Sequence, residues 1–381
     1  MAKVLILGGY GHSGRALARH LRARSDAKLV LAGRRLHKAE AEAREINKAY
    51  GGDQVSAMRV DAADEEGLRK ALETVSMLVV AAPTTQHAPE VISGALDSGV
   101  DYLDIQLDLK KLNLLKSLEK EIAASERCFI TEAGFHPGLP SAMVRLAADQ
   151  FDQLQSVSLG CYLNMGPTLP YSEGVDELMQ VFRNYRAQVF ENGAWTKPSS
   201  YRMRQMEFGG EIGRRRCFSL FFEELRAMPQ QIPTLENLAF YMAETHWLVD
   251  WIITPLIFMG LRLAPQRSMR SLGRLMWWGM QTFPKPPYLV ALKMEAHGEK
   301  AGRPMRMEVT LSHADGYELT AIPVVACLLQ YFDGSARRPG LWMMGHLVDP
   351  VRLLKDMEHM GVEVIRETTQ GPSFPAASNC S

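Results

Sequence analysis

The sequence predicts an α/β chain: an N-terminal doubly wound parallel sheet, then a second α+β domain built on a mixed or antiparallel sheet. Three observations carry this reading. Short β-prone runs alternate six times with helical stretches over about the first 130 residues. Several of those runs, such as Val4–Leu7, are continuously apolar, as expected where helices cover both faces of a parallel strand. Past Gly134 the texture changes to hairpin turns and half-polar strands.

The elements follow in order. Val4–Leu7 ends in Gly8-Gly9-Tyr10-Gly11-His12-Ser13-Gly14, and Ser13–Arg24 reads as a helix with Leu17 and Leu21 on one face and arginines on the other. Strand Leu29–Ala32 leads to a charged helix, His37–Tyr50. Strand Ser56–Val60, helix Glu65–Leu72, strand Met77–Ala81 and helix Ala88–Leu96 come next. Strand Tyr102–Asp104, helix Leu109–Ser125 and strand Cys128–Thr131 complete the sheet.

A Pro137-Gly138 pair and a helix over 141–149 mark the domain change. Beyond it, Val157–Leu163 fits a strand, and Val189–Trp195 carries an Asn192-Gly193 hairpin turn. Met305–Leu311 alternates apolar with polar residues and is expected to pair across Asp315-Gly316 with Tyr317–Thr320. Pro323 then stands early in an apolar helix, Val324–Phe332, and Asp349–Met360 is another helix. The tail from Thr368 has the composition of a disordered segment. The expected domains are therefore 1–135, 136–335, a segment 336–366 returning to the first domain, and a tail 367–381.

The 43 basic and 43 acidic side chains cancel, which leaves no field to gather nucleic acid. Five dispersed cysteines form neither a metal-binding pair nor a disulfide framework, so reduced thiols, no metal and a cytoplasmic location are expected. The N-terminus runs straight into a glycine turn and reads as a first strand. Trp247–Leu263 is the one membrane-like stretch. Asp250 and Pro255 interrupt it and it is shorter than the ~20 residues a span needs, so a buried helix pair, or a surface meeting an apolar substrate or a bilayer, is expected.

Gly9, Gly11 and Gly14 form G-x-G-x-x-G between a strand and a helix. There the missing side chains permit a tight turn and let a pyrophosphate approach the backbone, with the helix N-terminus favouring phosphate. This is the fingerprint of a Rossmann-type dinucleotide site, and Tyr10, His12 and Ser13 lie inside it. The second strand ends Ala32-Gly33-Arg34-Arg35, where a site for NAD usually carries an acid. An arginine there pairs instead with the 2′-phosphate of NADP(H), the alternative being a solvated basic turn. Asp61 is placed to reach the adenine or to cap the next helix. Ala82 and Pro83 let the nicotinamide half of the coenzyme lie against the backbone, or serve only as a strand-to-helix turn.

These residues resemble the saccharopine dehydrogenase family. VLILGGYGHSGRALARHL, LVLAGRR, VDAAD, VVAAPTT and GVDYLDI carry the likeness, and ITEAGFHPGLPSAMVRLAAD, with its Ala-Gly-x-x-Pro-Gly-Leu-Pro segment, is its most specific part. GYELTAIPVVACLLQYFDG and GLWMMGHLVDPVRLLKDMEHMGVEV extend it toward the C-terminus. The resemblance implies NADP(H) in the first domain, a central α/β domain that completes a substrate cleft and often dimerises, and a C-terminal segment packed on the first domain. Members acting on amino acid imines commonly follow the Tyr-x-Asp strand with Gly-Glu, whereas this chain reads Ile105-Gln106. Since the family also holds enoyl reductases of lipid and polyketide pathways, the Trp, Met and Phe richness of 240–283 suits an apolar small-molecule substrate.

The proton that balances hydride transfer needs a donor near the carboxyl ends of the strands. His136 is the first candidate, for proton exchange, substrate or cofactor contact, or a loop hydrogen bond; Asp104 and Tyr102 come next. Tyr171 and Arg183 have no motif behind them, and the arginines at 214–216, 262, 267, 270 and 274 read as a solvated face or a basic surface. The expected function is an NADP(H)-dependent oxidoreductase acting on a C=N, C=C or C=O bond, forming a homodimer. The rival is a nucleotide-sensing or membrane-associated scaffold without turnover.

Overall fold

The computed structural model describes residues 2–167, 175, 179–180, 182–183, 185, 187–198, 203–264 and 268–371. The chain divides into two compact units, Met1–Ala142 with Tyr317–Met360, and Met143–Gly316 with Gly361–Ser381.

The first unit alternates as its sequence predicts: β1 (Lys3–Leu7), α1 (His12–Arg24), β2 (Lys28–Gly33), α2 (Leu36–Tyr50), β3 (Val55–Arg59), α3 (Glu65–Leu72), β4 (Met77–Val80), α4 (Ala88–Asp97), β5 (Asp101–Asp104), α5 (Leu109–Ser117), α6 (Glu119–Ala124) and β6 (Cys128–Thr131). The sheet order is β3-β2-β1-β4-β5-β6, with the C-terminal strand Gly340–Met343 added beside β6, and every pair is parallel. The order reverses between β1 and β4, so the carboxyl ends of those strands form the crevice where such sheets take their ligands. Leu5, Leu7, Val30, Val80, Ile92, Leu115 and Phe129 form a buried core on one face of the sheet.

Local chemistry explains the helix starts. The Asp64 carboxylate accepts from the Gly67 amide (3.0 Å) at the head of α3, and that of Asp108 from Lys111 (2.7 Å) at the head of α5. The single helix expected over Leu109–Ser125 is divided at Leu118, which leaves helical geometry (φ −95°, ψ 4°) to end α5 and begin α6.

Residues 317–320 depart from expectation, while the helix expected over 324–332 is present. Tyr317–Thr320 is not a strand; it opens a helix, Gly316–Phe332, that belongs from Tyr317 onward to the first unit. Leu319, Ile322, Val325 and Ala326 are all buried, so the apolar spacing continues through one helical period, which a four-residue window cannot distinguish from a strand. Pro323 accordingly lies inside this helix rather than near its start. The first unit thus takes up residues expected in a domain 136–335, and it ends at Met360, six residues before the expected limit of the returning segment at 366.

The second unit is built on a mixed sheet ordered Met203–Glu207, Arg214–Leu220, Asn237–Ala243, Gln153–Asn164, Leu289–Lys300, Arg303–His313 and Glu363–Gln370. Only Asn237–Ala243 against Gln153–Asn164 is a parallel pair; the rest are antiparallel. The strand expected over Met305–Leu311 exists, but its partners are Leu289–Lys300 and Glu363–Gln370. Thr368–Gln370, expected in a disordered tail, end that last strand. Val189–Glu191 and Ala194–Thr196 form the expected hairpin, with Asn192 and Gly193 both at positive φ. No helix among the described residues is long and apolar enough to cross a membrane. Arg183 is exposed on the second unit; Tyr171 and Arg267 lie outside the described residues.

Candidate functional site

The glycine loop joins β1 to α1 at the crevice. The Gly8 amide donates to Ala32 O (2.8 Å) and the Gly11 amide to Gly8 O (2.8 Å), which closes the turn. A Cβ on Gly14 would stand 2.2 Å from Gly8 O and 3.0 Å from Gly9 Cα, so only hydrogen lets α1 pack this closely on the strand end. Gly11 is the N-cap of α1; no side chain caps the helix and no acid lies in its first turn. The positive end of the helix dipole is therefore left for an anion.

Tyr10 ties this loop to the end of β2. A Cβ on Gly33 would meet the Tyr10 ring at 2.6 Å, and the Arg35 amide donates to Tyr10 Oη (3.2 Å). Arg34 and Arg35 follow, both exposed and with no acid in the first turn of α2. His12 stacks on Tyr317, with ring centroids 4.6 Å apart and planes 16° from parallel. Thr320, one turn further along that helix, has its Cγ2 3.4 Å from where a Gly134 Cβ would stand. Tyr317 and Thr320 thus enter the site's surroundings, which the strand reading of 317–320 hid.

The floor lies at the β4 end. A Cβ on Gly8 would be 2.8 Å from both Ala81 O and Ala82 Cβ, so Ala82 and the following Pro83 border the loop. Gln106 Nε2 donates to Ala82 O (2.6 Å) and to Thr84 Oγ1 (3.1 Å), which locks this turn. Asp61 does not cap α3, a place held by Asp64; its carboxylate accepts from the Ala63 amide (3.2 Å) in a turn beyond β3. Ser13 is half-buried in the first turn of α1.

The three candidates for proton transfer fare differently. Asp104 is fully buried: its Oδ1 accepts from Lys111 Nζ (2.5 Å) and the Gln106 amide (3.0 Å), and its Oδ2 from Thr131 Oγ1 (2.8 Å). That is a buried ion pair with both carboxylate oxygens occupied. Tyr102 is buried too, stacked on Phe129 at 5.2 Å, and burial together with the Asp104 charge holds its phenol well above the usual range. His136 stands beyond β6 against Phe135 (4.4 Å between rings), and desolvation lowers its pKa to about 4. The expected titration near neutrality is therefore corrected: this imidazole is neutral at pH 7 and suits a contact or hydrogen-bond role.

The Pro137-Gly138 turn has a steric reason. A Cβ on Gly138 would meet the Gly134 backbone at 2.7 Å and Met344 Cε at 2.8 Å. The turn and the C-terminal segment are thereby packed together inside the first unit.

The loop fits a dinucleotide: bare backbone at the turn, an uncapped helix start, and two exposed guanidiniums where an acid would hold a ribose hydroxyl. Arg34→Ala is expected to weaken NADPH binding about tenfold, the worth of one charge-assisted contact at an exposed position, and to leave NADH nearly unchanged. Fluorescence titration with both coenzymes checks this; equal losses would remove Arg34 from 2′-phosphate recognition.

Comparison with known proteins agrees with this geometry. Residues 4–130 match the model of the saccharopine dehydrogenase NADP binding domain. No curated protein matches the chain in sequence. Among solved structures, the saccharopine dehydrogenase (L-Glu forming) of Saccharomyces cerevisiae, in its apo form, aligns over 97% of this chain and 100% of its own at 16% identity, with a TM-score of 0.70. A myo-inositol dehydrogenase from Corynebacterium glutamicum aligns over 98% and 100% at 12% identity, but its TM-score of 0.43 is too low to bear on the fold. With the glycine loop, the sheet order and the matched model in agreement, residues 4–130 of this chain are a saccharopine dehydrogenase-type NADP-binding domain of Rossmann fold.

Proposed function

We propose that this chain is an NADP(H)-dependent oxidoreductase that transfers hydride to or from a small molecule, and that within this class it reduces a C=C bond of a lipid- or polyketide-type substrate rather than an amino acid imine. The matched NADP-binding domain supports the oxidoreductase class. The observation that carries the finer reading is the end of β5. Gln106 stands where imine-reducing relatives commonly have an acid, and its amide is committed to Ala82 and Thr84. The nearest carboxylate on that strand, Asp104, is consumed by Lys111. A substrate ammonium group therefore meets neither an acid at position 106 nor an uncommitted Asp104 at the end of β5, whereas an uncharged substrate needs neither.

When bound, NADPH supplies the hydride. The protein's own residues bind and orient: the first-turn amides of α1 and Arg34 receive phosphates, Tyr10 holds the loop to β2, and the locked Ala82–Thr84 turn presents backbone and small side chains at the carboxyl edge. His136, neutral at pH 7, contributes hydrogen bonding or packing rather than an imidazolium proton.

NADPH consumption followed at fixed coenzyme, with an α,β-unsaturated acyl thioester and with an imine formed from an amine and a 2-oxo acid, tests both levels. Turnover of the thioester is expected. Turnover of the imine alone would sink the C=C reading while keeping the class. NADPH binding without consumption on either would leave the sensor reading in its place.

A further inference from the structure

The apolar segment of the second unit forms two short helices that bury one set of apolar side chains and leave another exposed. Val249, Ile253, Ile257 and Leu261 recur every four residues and are buried against Met276, with Leu272, Leu275 and Met280 partly buried beside them. Two glycines allow this closeness. A Cβ on Gly260 would stand 2.8 Å from Leu272 Cδ1, and one on Gly279 would stand 2.7 Å from Ile253 Cδ1.

The opposite face is apolar as well, and it is open. Ile252, Leu256, Met259 and Leu263 form a helical stripe exposed by 44, 45, 54 and 79%, with Trp247, Trp251 and Trp278 also exposed. Eight of the fourteen large apolar side chains exposed among the described residues fall within residues 247–288, so this is a patch rather than ordinary scatter. A helix apolar on both faces is expected where a second apolar phase covers it.

Charge says which phase. Residues 247–288 contain five basic side chains, Arg262, Arg267, Arg270, Arg274 and Lys285, against one acid, Asp250. Asp250 is turned inward, accepting from the Thr245 and His246 amides at 2.9 Å each. Arg270 and Arg274 are exposed at the same helical spacing that leads to Trp278. A twofold contact between copies would set two such basic patches against each other with no exposed acid of the segment to offset them. Aromatic side chains bordered by basic ones match the interface of a bilayer with anionic headgroups. The helices Thr254–Leu263 and Met269–Thr282 have 10 and 14 residues, too few to cross and enough to lie in the plane of the surface.

We propose that the helical segments 247–264 and 268–283 dock this protein on the surface of an anionic lipid bilayer, with Ile252, Leu256, Met259, Leu263 and the exposed tryptophans entering the headgroup region and Arg262, Arg270 and Arg274 meeting lipid phosphates. This does not depend on which bond the enzyme reduces.

The test is cosedimentation of the full chain with phosphatidylcholine vesicles, with and without phosphatidylglycerol, together with tryptophan emission. Binding to the anionic vesicles with a blue shift is expected, lost in high salt. Leu256→Glu with Met259→Glu, and separately Arg270→Glu with Arg274→Glu, should each weaken binding at least about tenfold. Unchanged far-ultraviolet circular dichroism and melting temperature show that the variants are folded, and unchanged NADPH affinity shows that the coenzyme loop, which lies in the other unit, is undisturbed. Wild-type protein left in the supernatant with both vesicle types would overturn the proposal. So would a dimer, seen by light scattering, that the Leu256→Glu, Met259→Glu variant converts to monomer while no lipid binds.

Discussion

Lys111→Met is expected to destabilise the first unit by about 3–5 kcal/mol, because it leaves the buried Asp104 carboxylate without its counter-charge. Both side chains are fully buried, and Lys111 Nζ spends its three protons on Asp104 Oδ1 (2.5 Å), Gln106 O (2.7 Å) and Thr131 Oγ1 (3.0 Å). The pair closes the carboxyl ends of β5 and β6, and Gln106 extends it to the turn after β4. The loss should lower the melting temperature by roughly 6–20 °C in a unit of this size, read by circular dichroism. Asp104→Leu combined with Lys111→Met should cost less than the two single losses added, since removing both charges leaves neither stranded. A melting temperature unmoved by Lys111→Met would mean that the pair is not the structural clamp its geometry describes, and would reopen a chemical role for Asp104.

Gly14→Ala and Gly11→Ala should fail in different ways. The added methyl at Gly14 meets Gly8 O at 2.2 Å, against 3.2 Å for Gly11, so only the first forces α1 away from β1. Gly14→Ala is expected to cost about 1–3 kcal/mol of stability and at least a hundredfold in NADPH affinity. Gly11→Ala should keep its melting temperature and still bind NADPH more weakly, since the change lies on the backbone that a pyrophosphate approaches. Thermal melts and coenzyme titrations of the two proteins separate the effects. Equal stability of both variants would contradict the packing role of Gly14.

Much of the first unit was legible because its signals are local. A glycine loop between an apolar strand and an amphipathic helix, and an arginine pair in place of an acid, are short patterns set by backbone sterics and helix electrostatics. The proton-transfer candidates were not legible in the same way. Asp104, Tyr102 and His136 have suitable side chains at suitable strand ends, but burial and partners decide what a side chain does there. Asp104 met a lysine seven residues on, Tyr102 entered the core, and His136 lost solvent until protonation became unfavourable. Asp61 lost its capping role to Asp64 for a similar reason, since which of two nearby acids caps is set by where the helix begins.

By itself the amino-acid sequence determined the alternating first domain, its coenzyme loop and its preference for NADP(H), since periodicity, glycine spacing and charge act over a few residues. Tertiary structure alone decided that residues 317–320 open the helix expected over 324–332 and stand beside the glycine loop, that 340–343 add a seventh strand, and that 363–370 return to the second sheet. Those pairings join segments far apart in the chain, where an apolar run fits strand and helix equally well until its neighbours choose.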